Sequence, residues 1–216
     1  MIVKVCGVRT PEIAEAAIEA GADWLGLVLV PASPRHVDDA AARVLVDAVR
    51  GRADLVGVMV DATPAECDEA AQRYRLAAVQ LHGQVTLSTA ARVTVPVIRA
   101  INVDGAAQAL TRAWWPDCLV LLDAAPSSSG ALPGGTGARV DEAVAAALSR
   151  HRRVILAGGL TPENVAEAIA AVRPHGVDAS SGLESAPGVK DAARVVAFVR
   201  AARSAAAVDS AAAVLG

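Results

Sequence analysis

Strand-like and helix-like stretches alternate eight times along this 216-residue chain, at near-even spacing and with no block of one kind. The apolar, strand-like runs cover Met1–Val5, Trp24–Val30, Leu55–Val60, Ala77–Leu81, Pro96–Ile101, Cys118–Leu122, a run from Val154, and a very short one at Gly176–Asp178. Helical patterns follow each: Thr10 to Ala20, Asp38 to Val49, from Thr63-Pro64, a short one before Pro96, Asp104 to Ala113, Val140 to Ser149, from Thr161-Pro162, and Lys190 to Arg203. Such alternation calls for a parallel sheet with helices outside, because every return to a parallel strand needs a crossover. Eight units in this length favour a closed (β/α)8 TIM barrel, a single α/β domain over residues 1–203. An open Rossmann or flavodoxin-like sheet is the alternative, weakened because no G-x-G-x-x-G follows the first strand. The Ala-rich residues 204–216 read as a C-terminal tail, frayed or disordered.

Composition narrows the function classes. A formal net charge of -3 gives no basic surface for nucleic acid, and an aromatic content of 2% removes the usual base-stacking platforms. The N-terminus enters an apolar strand without a basic leader, and Pro, Gly and charges interrupt every apolar run short of membrane-spanning length. No membrane partner is expected, therefore, and the oligomeric state is left open. Three widely spaced cysteines, Cys6, Cys67 and Cys118, fit a reducing cytoplasm and give no zinc spacing. The four histidines are scattered, so no metal is expected.

Two turns near the end of the chain are almost free of side chains. The branched run Val154-Ile155-Leu156-Ala157 ends in Gly158-Gly159, and Thr161 and Pro162 then stand as N-cap and first helical residue. The second turn is Gly176-Val177-Asp178-Ala179-Ser180-Ser181-Gly182. Side-chain-poor turns let backbone N–H groups approach a ligand, and a helix start favours an anion. One such turn is an ordinary tight loop; two in succession point to a phosphate held between them.

In a barrel of this class the active site lies at the C-terminal strand ends. Here most strands end on a residue that is not apolar: Cys6, Asp61, His82, Asn102, Asp123, Gly158 and Asp178. Asp61 and Asn102 read as ordinary turn formers. Cys118 reads as inert core, and Cys67, on a helix, has no assigned role. Cys6 differs by standing at the barrel mouth. Strand alternation puts Lys4 on the same face one layer deeper, where a buried ammonium would lower the thiol pKa. Asp123 ends the sixth strand on the same rim, and a thiol facing a carboxyl makes an acid–base pair that needs no metal. Arg35 follows Ser33-Pro34 in the loop after the second strand; it is either a solvated loop residue or a fork that grips a carboxylate.

The ordered set Lys-Val-Cys-Gly-Val-Arg-Thr, Pro-Ala-Ser-Pro-Arg-His-Val, Val-Gln-Leu-His-Gly, Val-Leu-Leu-Asp, Gly-Gly-Thr-Gly, Leu-Ala-Gly-Gly-Leu-Thr-Pro-Glu-Asn-Val and Gly-Val-Asp-Ala-Ser-Ser-Gly-Leu-Glu, with Gly-Val-Lys-Asp close behind, resembles the phosphoribosylanthranilate isomerases of tryptophan biosynthesis. The resemblance runs from Val3 to about Val199. It implies a barrel without cofactor or metal that performs an Amadori rearrangement on a small phosphorylated aminosugar. It also implies Cys6 as general base, Asp123 as general acid and Arg35 as the holder of the anthranilate carboxylate. His82 and Asp178 would line the pocket. Gly134, Gly135, Gly158, Gly159, Ser180, Ser181 and Gly182 would bind phosphate. The chain departs from the family at Leu25, Leu27, Leu29 and Val30, where aromatics are usual, and at Ala138-Arg139-Val140-Asp141-Glu142, where the family often has Phe-Asp-Trp.

Rival readings are another phosphate-binding barrel enzyme and a non-catalytic phosphosugar-binding paralogue. An isomerase of the histidine-pathway aminoaldose would be expected to use two aspartates, and Cys6 occupies the first of those positions.

Overall fold

The computed structural model describes residues 1–103, 118–124 and 140–215. Eight parallel strands close into a barrel in sequence order: β1 Ile2–Cys6, β2 Trp24–Val28, β3 Asp54–Val60, β4 Ala78–His82, β5 Val97–Val103, β6 Leu119–Ala124, β7 Val154–Leu156 and β8 Gly176–Ala179. The described helices are α1 Pro11–Ala20, α2 Asp39–Val49, α3 Pro64–Tyr74, α4 Leu87–Ala90, α5 Glu142–Ser149, α6 Val165–Val172 and α7 Ala192–Leu215. The helix expected over Asp104 to Ala113 lies outside the described residues. A small hairpin, β9 Glu184–Ala186 with β10 Val189–Lys190, follows a single 3₁₀ turn at Ser181–Leu183 and was not foreseen from the sequence.

Local chemistry sets the helix ends. The Thr63 hydroxyl of α3 accepts the Glu66 N–H at 3.3 Å while the Glu66 carboxylate accepts the Thr63 N–H at 2.8 Å, a reciprocal cap. α1 starts with Thr10 as N-cap and Pro11, and stops at Gly21, whose φ of 101° suits a residue without Cβ. The start of α6 differs from the sequence reading. Its N-cap is Asn164, and Thr161-Pro162-Glu163 forms a preceding turn. Asn164 draws the chain into that turn by accepting the Thr161 N–H at 2.9 Å and donating to the Gly159 carbonyl at 2.9 Å. At the other end, α7 continues past Arg203 to Leu215, through the Ala-rich stretch read as a separate tail. Alanine's high helix propensity favours that continuation.

Strand alternation divides two cores. Outward side chains such as Val3, Val5, Leu25, Leu27, Val79, Leu81 and Val177 pack under the helices. Inward ones, among them Val56, Ile98, Leu119, Leu121 and Ile155, fill the barrel. Among the described residues, the polar and charged ones buried as whole residues are Lys4, Gln80, His82, Asp123 and Asp178. All five belong to the inward set by strand parity.

Lys4 and Asp178 mark the seam. They are register partners where β1 meets β8, and their side chains form an ion pair at 2.9 Å with exposures of 0% and 7%. A charge buried this deeply costs several kcal/mol unless paired. Lys4→Met should therefore destabilise the protein by about 3–5 kcal/mol, and Lys4→Met with Asp178→Asn should recover most of that loss. Urea unfolding of both variants checks it; a single variant as stable as the parent would contradict the pair's role.

Candidate active site

One pocket opens at the C-terminal end of the barrel. It is lined by Cys6, Arg35, Gln80, His82, Asp123, Asp178, the Gly158-Gly159 turn and Ser180-Ser181-Gly182. Every described residue expected at the site lies on this pocket. Gly134 and Gly135 fall outside the described residues. Asp61, read as a turn former, has a φ of 50° and accepts the Gln84 N–H at 2.6 Å, shaping the loop after β4. The side chain of Asn102 lies outside the described set.

Cys6 owes its place to β2. Its register partner there is Gly26, and a Cβ at Gly26 would lie 2.8 Å from the Cys6 sulfur. The thiol thus occupies the space a side chain on β2 would need. Lys4 was expected to lower the thiol pKa, but burial pushes the thiol up and outweighs the downward pull of Lys4 and Lys190; the Asp178 carboxylate adds to the rise. Burial is the larger effect, and the Asp178 carboxylate beside Lys4 offsets part of the ammonium's pull. Burial works against the charge on Lys4 as well, yet Asp178 and Cys6 together raise its pKa above the ordinary value.

His82 and Gln80 form a stacked pair of inward residues on β4. Burial, and then the Lys4 charge, lower the His82 pKa to about 4, so the ring is neutral at neutral pH. The Gln80 amide nitrogen can only donate, and it lies 2.8 Å from His82 Nε2; the ring proton therefore sits on Nδ1. Among the described residues, Gln80 Oε1 and Asp178 Oδ1 are buried acceptors with no partner. Such groups carry a desolvation cost that a ligand hydroxyl would relieve. Gln80 escaped the sequence reading, although the period-2 argument that put Lys4 beneath Cys6 also puts Gln80 beneath His82.

Backbone geometry brings the two side-chain-poor turns together. Gly158 and Gly159 have φ of 77° and 62°, a left-handed pair closed to most residues. A Cβ on Gly182 would run into the Leu160 carbonyl oxygen. The turns after β7 and β8 therefore meet backbone to backbone and form one concave wall of main chain.

Arg35 lies in a turn fixed by its own neighbours. The His36 N–H donates to the Ser33 carbonyl at 3.0 Å, with Pro34 at the position that favours proline, and the Ser33 hydroxyl accepts the Arg35 N–H at 3.2 Å. Val37 N–H then donates to the Val28 carbonyl at 3.0 Å, tying the loop to β2. The Arg35 guanidinium is a fork, but it holds a carboxylate of the protein: Nε and Nη2 donate to Glu184 at 2.7 and 2.9 Å. Lys190 donates to the same carboxylate at 2.7 Å. Burial pushes the Glu184 carboxyl up, but the hydrogen bonds from Arg35 and Lys190 prevail and hold its pKa at about 2.

The N-(5′-phosphoribosyl)anthranilate (PRA) isomerase family model matches residues 3–201. This chain belongs to that family. Isomerases of this name from a Bradyrhizobium species and from Azorhizobium caulinodans are 41% and 42% identical to it, over 95% and 94% of this chain and 96% and 92% of theirs. Among solved structures, the Thermotoga maritima phosphoribosyl anthranilate isomerase superposes with a TM-score of 0.85 at 32% identity, covering 94% of this chain and 100% of that one. The Thermus thermophilus structure gives 0.83 at 38%, covering 94% and 99%. A further isomerase structure, with TM-score 0.83 and 32% identity over 94% and 100% of the two chains, is a complex with reduced 1-(o-carboxyphenylamino)-1-deoxyribulose 5-phosphate.

Two shifted groups, His82 in the pocket and Glu184 beside Arg35, titrate in different ranges. A histidine with its folded pKa depressed from 6.5 to about 4 costs stability as the unfolded chain takes up the proton first, so stability falls as pH drops from 6.5 toward 4. Glu184, depressed from 4.5 to about 2, stabilises above 4.5 and loses that contribution as pH falls toward 2. His82→Gln should flatten the upper part of the slope, by about 3 kcal/mol at most, and leave the lower part. Urea midpoints across pH 7 to 3 measure it; parallel curves for parent and variant would contradict a neutral buried ring.

Proposed function

We infer that this protein catalyses the Amadori rearrangement of N-(5′-phosphoribosyl)anthranilate to 1-(2-carboxyphenylamino)-1-deoxyribulose 5-phosphate, the isomerisation that serves tryptophan biosynthesis. The observation that carries the residue assignments is that a thiol and a carboxyl, Cys6 and Asp123, line the same pocket as the glycine and serine turns. The solved relative that holds the reduced product gives the ligand class.

In this reading the phosphate rests on the main-chain wall of Gly158-Gly159 and Ser180-Ser181-Gly182, and Arg35 takes the ring carboxylate. Asp123, protonated at the outset, gives its proton to the furanose oxygen as the anthranilate nitrogen pushes its electron pair into C1′ and the ring C–O bond breaks. The resulting Schiff base acidifies the proton on C2′. Cys6, as thiolate, removes that proton, and the C2′ electron pair shifts to give an enolamine that tautomerises to the ketone. Lys4 and Lys190 favour the thiolate while burial and Asp178 oppose it. The partnerless acceptors Gln80 Oε1 and Asp178 Oδ1 suit the ribose hydroxyls. No nucleic acid, membrane or cofactor has a part in this scheme. A cytoplasmic setting accords with the free thiols Cys6, Cys67 and Cys118.

A phosphosugar-binding paralogue would bind without turnover, and fluorescence-monitored loss of phosphoribosylanthranilate separates the two. General acid or base catalysis contributes ~10²–10⁴-fold per group, so Cys6→Ala and Asp123→Asn should each lose at least that in kcat. Both should still bind the reduced product, because the phosphate and carboxylate grips are intact. Near-normal turnover in either folded variant would overturn the assignment.

The phosphate wall has its own test. Gly159→Val should raise KM strongly, since its left-handed φ and its approach to the ligand both exclude a branched side chain. Unchanged competition by inorganic phosphate in that variant would place the phosphate elsewhere.

A further inference from the structure

The reaction described above leaves one buried carboxylate without a part: Glu184, closing Ser-Gly-Leu-Glu, beside Lys190 of Gly-Val-Lys-Asp. Both belong to the hairpin β9–β10. Their side chains are 5% and 2% exposed, and Glu184 binds Arg35, which lines the pocket. We propose that Glu184 is the positioning residue for Arg35: it holds one edge of the guanidinium so that the opposite edge faces the ring carboxylate of the substrate. The inference rests on the reading of Arg35 as the carboxylate grip.

The donor inventory supports it. A guanidinium has five N–H groups in a planar fork. Glu184 takes the side edge, with Nε to Oε1 at 2.7 Å and Nη2 to Oε2 at 2.9 Å. The terminal edge, made of Nη1 and the second Nη2 proton, is a second fork of the same spacing and can take a second carboxylate bidentately.

Charge points the same way. One carboxylate on Arg35 would neutralise it and leave nothing for an anionic ligand. Glu184 is shared, however, with the Lys190 ammonium at 2.7 Å. Two cations around one anion leave a single positive charge, which matches one incoming carboxylate.

The arrangement is also built to stay still. Glu184 Oε2 accepts the Gly188 N–H at 3.2 Å, fixing the second oxygen. A Cβ on Gly188 would run into the Pro34 carbonyl oxygen, so the hairpin lies directly on the Arg35 turn. On the other side, a Cβ on Gly7 would lie 2.9 Å from Arg35 Cδ, so the side-chain stem rests on bare backbone. Arg35 is 13% exposed while lining the pocket. Holding a rotamer-rich side chain in its binding geometry beforehand removes an ordering cost from binding.

The test compares two ligands by calorimetry: reduced 1-(o-carboxyphenylamino)-1-deoxyribulose 5-phosphate, and the same compound without its ring carboxylate. The ratio of their Kd values reads the carboxylate grip alone. Glu184→Gln should cut the preference for the carboxylated ligand about tenfold, the scale of a weakened charge-assisted hydrogen bond. Affinity for the ligand without a carboxylate should stay within about twofold, and KM should rise far more than kcat falls. Equal weakening of both ligands, or an unchanged ratio, would overturn the proposal.

Arg35→Lys separates this failure from that of the underlying reading. If Arg35→Lys keeps the full preference, Arg35 is not the grip and both readings fall. If Arg35→Lys loses the preference and Glu184→Gln keeps it, the positioning role alone falls. Glu184→Gln strands the Lys190 ammonium, so Glu184→Gln with Lys190→Met provides a variant without that buried charge. A partly unfolded sample weakens both ligands by the same factor, and the ratio is untouched.

Discussion

The buried ion pair of Lys4 and Asp178 is the constraint on which the pocket depends. It joins register partners on the first and last strands, inside the barrel, where neither charge could remain alone. A slip of one residue between β1 and β8 would turn one partner toward the helices and leave the other charged in an apolar interior. The pair therefore specifies how the barrel closes. It also shapes the electrostatics one layer above, where the Asp178 carboxylate offsets part of the Lys4 charge at Cys6. The neutral state of His82 follows from the same centre, since burial and the Lys4 charge both oppose its protonation.

Above that layer, the walls of the pocket are main chain as much as side chain. Gly26 leaves room for the thiol, Gly182 lets the turn after β8 approach the Leu160 carbonyl, and Gly188 lets the hairpin lie on Pro34. At Gly182 and Gly188 a single methyl group would displace backbone, and at Gly26 it would displace the thiol. The Cys6 thiol at Gly26 and the Arg35 turn at Gly188 take their positions from these contacts.

Much of this was legible in the sequence. Alternation of apolar runs and capped helices implied the barrel, strand-end residues implied the pocket rim, and Gly158-Gly159 and Ser180-Ser181-Gly182 implied a side-chain-poor wall. These signals are local: a strand end, a cap or a paired glycine is readable within a dozen residues. What escaped was set at long range. Nothing near Lys4 says that Asp178 will be its partner, and nothing near Arg35 says that Glu184 will take one edge of its fork. The two-strand hairpin was missed because each of its strands is too short to show alternation. The shifted start of α6 was missed for another reason: Thr161 and Pro162 are good starting residues, but Asn164 ties the first turn back to Gly159. Gln80 alone could have been found, by counting two residues back from His82.

The two longest-range polar links have a consequence for the order in which the site comes into being. Arg35 meets Glu184 across 149 positions of chain, and Lys4 meets Asp178 across 174. A growing chain that has delivered its first six strands already contains Cys6, Arg35 and Asp123, yet it lacks the carboxylate that fixes the guanidinium, the turn after β8 and the partner of the buried lysine. Until those residues arrive, Lys4 must remain hydrated and β1 unpaired on one side. Catalytic competence is thus an all-or-none property of the finished ring, and closure entropy across nearly the whole chain is spent in the step that completes it. A half-barrel of β1–β4 would carry Cys6 and Arg35, and one of β5–β8 Asp123 and the two side-chain-poor turns, so neither holds the whole pocket.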